Sequence, residues 1–303
     1  MSILFTAIKP NLAQNGEEPF DDENYFFEPK WDGGRILLHK QGSRMEAYTR
    51  AGYKVTDKFP ELKELALSLK AHTAILDCEG IVLRSGRPVF DDFTYRGRIQ
   101  LAAAIKLARQ SHPVTFVAFD VLLTKSEHMN EPLAERKKRL TDIIEPSPLL
   151  MTTIYTVGEG KALYTLMEER NMEGILAKRK DSKYLLNTVN KDWLKIKHIK
   201  SMDVLILGYR TKPFSLVIGL NFRTVKNKPV GLVSEGIIEA DKQLFLALSQ
   251  DLLSHQDEKT QWLRPSICCR IDYRDRTDAH QLRETVFRGF LSEKRPEDCV
   301  WKS

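Results

Sequence analysis

The chain is 303 residues long, 42% hydrophobic and 29% charged, a composition that excludes a disordered or low-complexity chain and leaves room for two compact domains, since single cores seldom grow past ~250 residues. Forty-seven Lys and Arg against forty-one Asp and Glu give a net charge of +6, which favours a polyanionic partner over an acidic-lipid anchor because no basic amphipathic helix stands out. The sequence has no signal-peptide pattern and no apolar run of membrane-spanning length, so a cytoplasmic protein with no membrane attachment is expected, and Cys78, Cys268, Cys269 and Cys299 have the spacing of neither a zinc site nor a disulfide framework.

Two short β-rich runs, 25–28 and 35–40, flank a polar turn at Asp32, Gly33 and Gly34. A strand is expected at 45–50, and from Thr56 the residues Phe59, Leu62, Leu65 and Leu69 recur at helical spacing. Strands follow at 74–77 and 79–83, a helix at 97–108, a buried strand at 114–120, amphipathic helices at 133–144 and 161–170, and short strands at 175–177 and 193–196. After Lys200 the pattern turns to strands at 204–209, 216–223, 229–234 and 267–273, with one helix at 242–253. These patterns predict an α+β chain: residues 1–198 as antiparallel sheets with helices, then residues 199–303 as a small β-barrel with the proportions of an OB-fold, the boundary falling at 197–201.

The most informative stretch is Glu28-Pro29-Lys30-Trp31-Asp32-Gly33-Gly34-Arg35, which gathers a lysine, a carboxylate, two glycines and an arginine within one turn. A lysine amine has a free pKa of about 10.4 and must shed its proton before it can attack phosphorus, a task that cationic neighbours such as Arg35 or a bound metal would ease. Pro29 fixes φ before the nucleophile, and Gly33-Gly34 would let backbone approach a phosphate closely. Taken alone, the same residues read as a surface turn with a solvated lysine.

This stretch resembles the K-x-D-G-x-R signature of the nucleotidyltransferase superfamily of ATP-dependent DNA ligases, RNA ligases and capping enzymes, matched by Lys30, Asp32, Gly33 and Arg35. Further elements follow in the family's order: Thr49-Arg50-Ala51-Gly52, Asp77-Cys78-Glu79-Gly80, Phe116-Val117-Ala118-Phe119-Asp120, Glu173 to Arg179, and Trp193-Leu194-Lys195-Ile196-Lys197. Asp91-Asp92-Phe93, Tyr95-Arg96-Gly97-Arg98 and the run 282–290 are similar to bacterial ligases of the end-joining type. The last motif departs from that pattern, with Leu291-Ser292-Glu293-Lys294 where an arginine and acidic residues precede the closing lysine, so the resemblance gives Lys294 no secure pyrophosphate role.

The resemblance implies an adenylation domain followed by an OB-fold, and a DNA ligase that seals nicks, in DNA repair, through AMP carried on Lys30. Catalysis falls to Lys30, Asp32 and Arg35. The nucleotide would be held by Glu28, Lys30, Arg35, Arg50, Glu79, Phe119, Lys195 and Lys197, with Glu28 accepting the adenine amino group and Phe119 stacking on the ring. Glu79 and Glu173 would hold Mg²⁺ or Mn²⁺, which takes one or two carboxylates and leaves the other positions to water and phosphate. Each has a blander reading: a core phenylalanine, solvated strand-end glutamates, a strand whose lysines alternate into solvent. The implied partner is nicked or broken duplex DNA gripped through its phosphates, by a monomer that leans on a Ku-type end-binding protein because no DNA-binding domain is read before the core. A swing of the barrel would hinge at 197–203. The rivals are an RNA ligase or capping enzyme with the same lysine chemistry, and a nucleic-acid-binding module that has lost it.

Overall fold

The computed structural model describes residues 3–277 and 279–301. The chain divides into two compact units, Met1–Lys197 and His198–Ser303.

The first unit is built on two sheets. A five-stranded sheet runs in the order Leu12–Asn15, Val189–Lys197, Gly174–Arg179, Tyr25–Pro29, Thr156–Val157. A six-stranded sheet runs Arg44–Thr49, Gly34–Gln41, Thr73–Arg84, Val114–Leu123, Leu150–Thr152, with Arg87–Pro88 paired to Thr73–Arg84. The first sheet turns Phe27, Ile175, Ala177 and Ile196 against Leu163 and Met167 of helix Gly160–Glu169. Strand alternation then points Glu28, Lys178, Trp193, Lys195 and Lys197 the other way. In the second sheet Ile36, Cys78, Phe116 and Ala118 pack into the larger core, leaving Arg35, Asp77, Glu79 and Phe119 on its opposite side. Phe26 and Trp193 of one sheet and Leu37, Ile75 and Phe119 of the other share one apolar cluster, so both sheets deliver their polar residues to a common region.

Most pairings are antiparallel as expected, but two are not. Leu12–Asn15 lies parallel to Val189–Lys197, and Leu150–Thr152 lies parallel to Val114–Leu123. Parallel neighbours need a long connection, supplied for the second pair by helix Leu133–Ile143, and such a pairing leaves no local turn signal to read.

The helix expected from Thr56 is broken into a 3₁₀ turn Thr56–Lys58, a single turn Leu62–Leu65 and a second 3₁₀ turn Ala66–Ser68. Phe59, Leu62, Leu65 and Leu69 are all buried as their spacing demands, yet Pro60 drives Phe59 out of helical geometry. The helix expected at 97–108 is instead two, Phe90–Arg98 and Ala102–Ser111. Buried Arg96 is held by Glu61 at 2.8 Å, and Lys58 donates to the Ile99 carbonyl at 2.7 Å, so side chains distant in sequence fix the break.

In the second unit a seven-stranded sheet centres on Lys200–Thr211, whose first half pairs with Cys268–Tyr273 and second half with Gln261–Leu263. Phe214–Leu220 and Lys228–Val233 continue it on one side, and Leu253–Gln256 and Val286–Phe290 on the others. These ladders form an open, branched sheet among the described residues, not the closed barrel expected. One isolated parallel bridge, Glu235 to Val286, joins the end of Lys228–Val233 to the strand at the opposite edge. The helix is Glu239–Ser249, its Phe245 buried against Tyr209. No helix among the described residues is long and apolar enough to cross a membrane.

Candidate active site

Lys30 follows strand Tyr25–Pro29 directly, and its N–H donates to the Gly174 carbonyl at 2.9 Å. That bond sets Lys30 beside Glu173, and the two side chains form a close ion pair. The second Glu173 oxygen takes the Lys197 ammonium at 2.8 Å. Gly174 makes the crowding possible: a Cβ there would lie 2.1 Å from the Ile196 carbonyl, at a φ of +142°. Burial pushes the Glu173 carboxyl up, but the charges and hydrogen bonds of Lys30 and Lys197 outweigh it, leaving the carboxyl below its ordinary range.

Glu79 has a different setting. It is half-buried opposite Arg35 in the sheet and makes no ion pair among the described residues. Burial pushes its carboxyl up to about 7, with Glu173 and Asp77 adding to the rise and Arg35 and Lys30 opposing it. Burial thus outweighs the attraction of the two nearby cations.

Arg35 is anchored. Its Nε and Nη2 donate to Asp77 at 2.5 and 2.6 Å, Nη2 also donates to the Asn11 carbonyl at 3.1 Å, and Tyr184 donates to the same Asp77 carboxylate. Its guanidinium lies 4.5 Å from the Phe119 ring centroid. On the first sheet Glu28 is enclosed at 1% exposure between Lys137, 2.5 Å away, and Lys178, 2.7 Å away. Burial works against the Glu28 charge, yet the two ammonium groups hold its carboxyl below the ordinary range. Burial depresses Lys178 to about 8, with Glu28 resisting the shift.

A sequence profile described as "ATP dependent DNA ligase domain" matches residues 10–197. The chain belongs to the ATP-dependent DNA ligase family. It is 31% identical to the "SPbeta prophage-derived DNA ligase-like protein LigB" of Bacillus subtilis, across 93% of this chain and 98% of that protein. It is 26% identical to the "Multifunctional non-homologous end joining protein LigD" of Mycolicibacterium smegmatis, across 97% of this chain and 39% of the relative, so it spans about two fifths of that protein. The solved structure of "mycobacterial DNA ligase D complexed with ATP and MES" superposes with a TM-score of 0.58 at 25% identity, over 98% of this chain and 99% of that one.

Against the family's signature, the structure gathers Lys30, Glu173 and Lys197 in direct contact and sets Glu79 and Arg35 beside them on the facing sheet. Lys195 is half-buried on the same side of its strand as Trp193 and Lys197, and so does not alternate into solvent. Asp32 is half-buried in the turn. Arg50 stands exposed on the turn after Arg44–Thr49, and no described ion pair brings it into the cluster.

Four of the expected residues have partners that the motif resemblance does not imply. The Glu28 carboxylate is closed off by two lysines and does not present an open face to a base. The Phe119 ring is 5% exposed and carries Arg35 and Lys178 over it, so stacking on adenine requires those cations to shift. Both Glu173 oxygens are paired with lysines, so a cation at Glu173 requires Lys30 or Lys197 to move aside. Gly33 serves packing, since a Cβ there would lie 2.1 Å from the Gly80 carbonyl.

The sequence reading gave no role to Asp77 and Lys178, though both lie in its quoted motifs, and did not name Tyr184 or Lys137; the four anchor Arg35 and Glu28. Alternation from Glu79 back to Asp77 carried a signal for the first. Nothing local marks Lys137, which arrives from helix Leu133–Ile143.

Proposed function

We propose that the chain is an ATP-dependent DNA ligase that seals 5′-phosphate/3′-hydroxyl nicks through AMP held on Lys30 and then on the DNA 5′-phosphate. The observation that carries this reading is the Lys30–Glu173–Lys197 cluster at the matched motifs, with Glu79 held near neutral by burial on the facing sheet. Lys30 would attack the α-phosphorus of ATP as a free amine and displace pyrophosphate, so its ion pair with Glu173 opens before reaction; the AMP then passes to the 5′-phosphate, releasing Lys30, and the 3′-hydroxyl displaces AMP from that phosphate. Lys197, Lys195 and Arg35 would neutralise the phosphates, the dominant requirement of phosphoryl transfer. Asp32 would support the lysine's setting, and Arg50, exposed in its turn, would reach the nucleotide or the nick phosphate.

Among the described residues no cluster of three or more His, Cys, Asp or Glu is assembled for a metal, so a divalent cation would be held by one or two carboxylates, Glu79 and Glu173, with water and phosphate oxygens completing its shell. When bound, Mg²⁺ or Mn²⁺ would neutralise charge on the phosphates. The Glu235–Val286 bridge and the long central strand support an OB-fold reading for residues 199–303, which would grip duplex DNA through phosphates. The end-joining role printed for the LigD relatives supports extending the substrate to broken ends; the same reading takes the protein as a cytoplasmic monomer that meets the nucleoid when it acts and works with a Ku-type end-binding protein.

The deciding experiment incubates the protein and a Lys30→Ala variant with α-labelled ATP or GTP and Mg²⁺, then chases with nicked duplex. Label from ATP alone, absent from the variant and discharged with sealing, supports the proposal; label from GTP points to a capping-type enzyme, and no label to a binding module.

A further inference from the structure

The loops of the second unit hold three aromatic rings together, two of them, Phe222 and Trp301, packed against the edge of its core. Phe222 and Trp301 stack at 5.4 Å with an 18° interplanar angle, and His280 lies 4.8 Å from Phe222 and 4.5 Å from Trp301. All three are half-exposed. They come from separate segments: the connection between Phe214–Leu220 and Lys228–Val233, the connection between Asp275–Arg276 and Leu282–Arg283, and the end of the described chain. Hydrogen bonds tie these segments together, the Trp301 backbone N–H donating to the Asn221 carbonyl at 2.9 Å and the Gln281 side-chain Nε2 donating to the Pro229 carbonyl at 3.1 Å.

Cations surround the rings. The Lys228 ammonium lies 5.0 Å from the Phe222 centroid and the Arg276 guanidinium 5.1 Å from that of Trp301. The segment 221–228 adds Arg223 and Lys226, both exposed, and contains no Asp or Glu. The segment 274–284 is mixed, with Asp275, Asp278 and Glu284 among its arginines, so positive charge concentrates on the first loop.

Half-exposed aromatics beside cations are the chemistry that takes unpaired nucleobases with their phosphates, the base displacing Lys228 from over the Phe222 ring or Arg276 from over the Trp301 ring. Paired bases are sealed in their own stack, and phosphate contacts alone would need the cations without the rings. We infer that the Phe222–His280–Trp301 cluster with Lys228, Arg223 and Lys226 is a docking platform for the single-stranded tail of a broken DNA end. The platform lies wholly in the second unit, and its test reads binding, so it stands or falls independently of the sealing reaction.

The test is fluorescence anisotropy of the full chain, at fixed ionic strength, with a blunt duplex and the same duplex bearing a single-stranded tail. The native protein should bind the tailed duplex about tenfold more tightly, the worth of one or two stacked bases. Trp301→Ala and His280→Ala should lose that preference while holding the blunt duplex as before, and Trp301→Phe should retain most of it. Equal binding of both DNAs by the native protein overturns the inference. So does an undiminished tail preference in Trp301→Ala, or an equal loss on both DNAs in the alanine variants, which would make the cluster a fold element or a duplex contact.

Discussion

Lys30 is ion-paired with Glu173, a residue 143 positions further along the chain, and this contact places the expected nucleophile at the meeting of two strands. The same carboxylate holds Lys197, so one anion organises two cations that the chemistry requires.

Glu173→Gln should therefore slow the adenylation of Lys30 by about 10²–10³-fold, the usual cost of losing one preorganised charge at a phosphoryl-transfer site. The rate of lysyl-AMP formation with labelled ATP checks it. A native rate in the variant would reduce Glu173 to a bystander.

Glu79 governs pH dependence. Its folded carboxyl sits at about 7, above the ordinary value of 4.5, so the folded state binds the extra proton between those values. Stability contributed by that proton is present below about 4.5 and is lost as pH rises towards 7, by up to roughly 3 kcal/mol. Glu79→Gln should accordingly be more stable than the native protein at pH 8 without divalent metal, and should lose any Mg²⁺-dependent rise in melting temperature. Denaturation across pH, with Mg²⁺ or with EDTA, reads both effects; identical curves for the two proteins would remove Glu79 from the cation site.

The Glu28 ion pairs are a structural commitment. Lys178→Met leaves Glu28 buried with one partner and should cost about 3 kcal/mol, as breaking a buried pair does. Urea unfolding measures it. A change under 1 kcal/mol would show that water reaches Glu28 and that its enclosure is incomplete.

Only His198 and Ile199 separate strand Val189–Lys197 from strand Lys200–Thr211. If the two units reorient during the reaction, Ile199→Pro should change adenylation and nick sealing by unequal factors, since proline fixes φ and restricts the preceding residue. Single-turnover rates of the two steps decide it, and unchanged rates for both would dispose of the hinge.

Much of this protein is local. The K-x-D-G-x-R turn, the 28–35 strand-turn-strand pattern and the burial of Phe59, Leu62, Leu65 and Leu69 follow from residue type and spacing, because turn chemistry and apolar periodicity act over a few residues. What the turn lysine contacts is not local. The enclosure of Glu28 by Lys137 and Lys178, the anchoring of Arg35 on Asp77 and Tyr184, the parallel strand Leu12–Asn15 and the two-helix break at Ile99 each join residues far apart in the chain. Ion pairs and parallel pairings carry no periodic signature, and the charge state of a carboxylate such as Glu79 depends on burial and on neighbours that only the folded chain assembles. Sequence alone thus set the residues on offer at Lys30, while tertiary structure decided which carboxylate holds the lysine and which is half-buried without an ion-pair partner among the described residues.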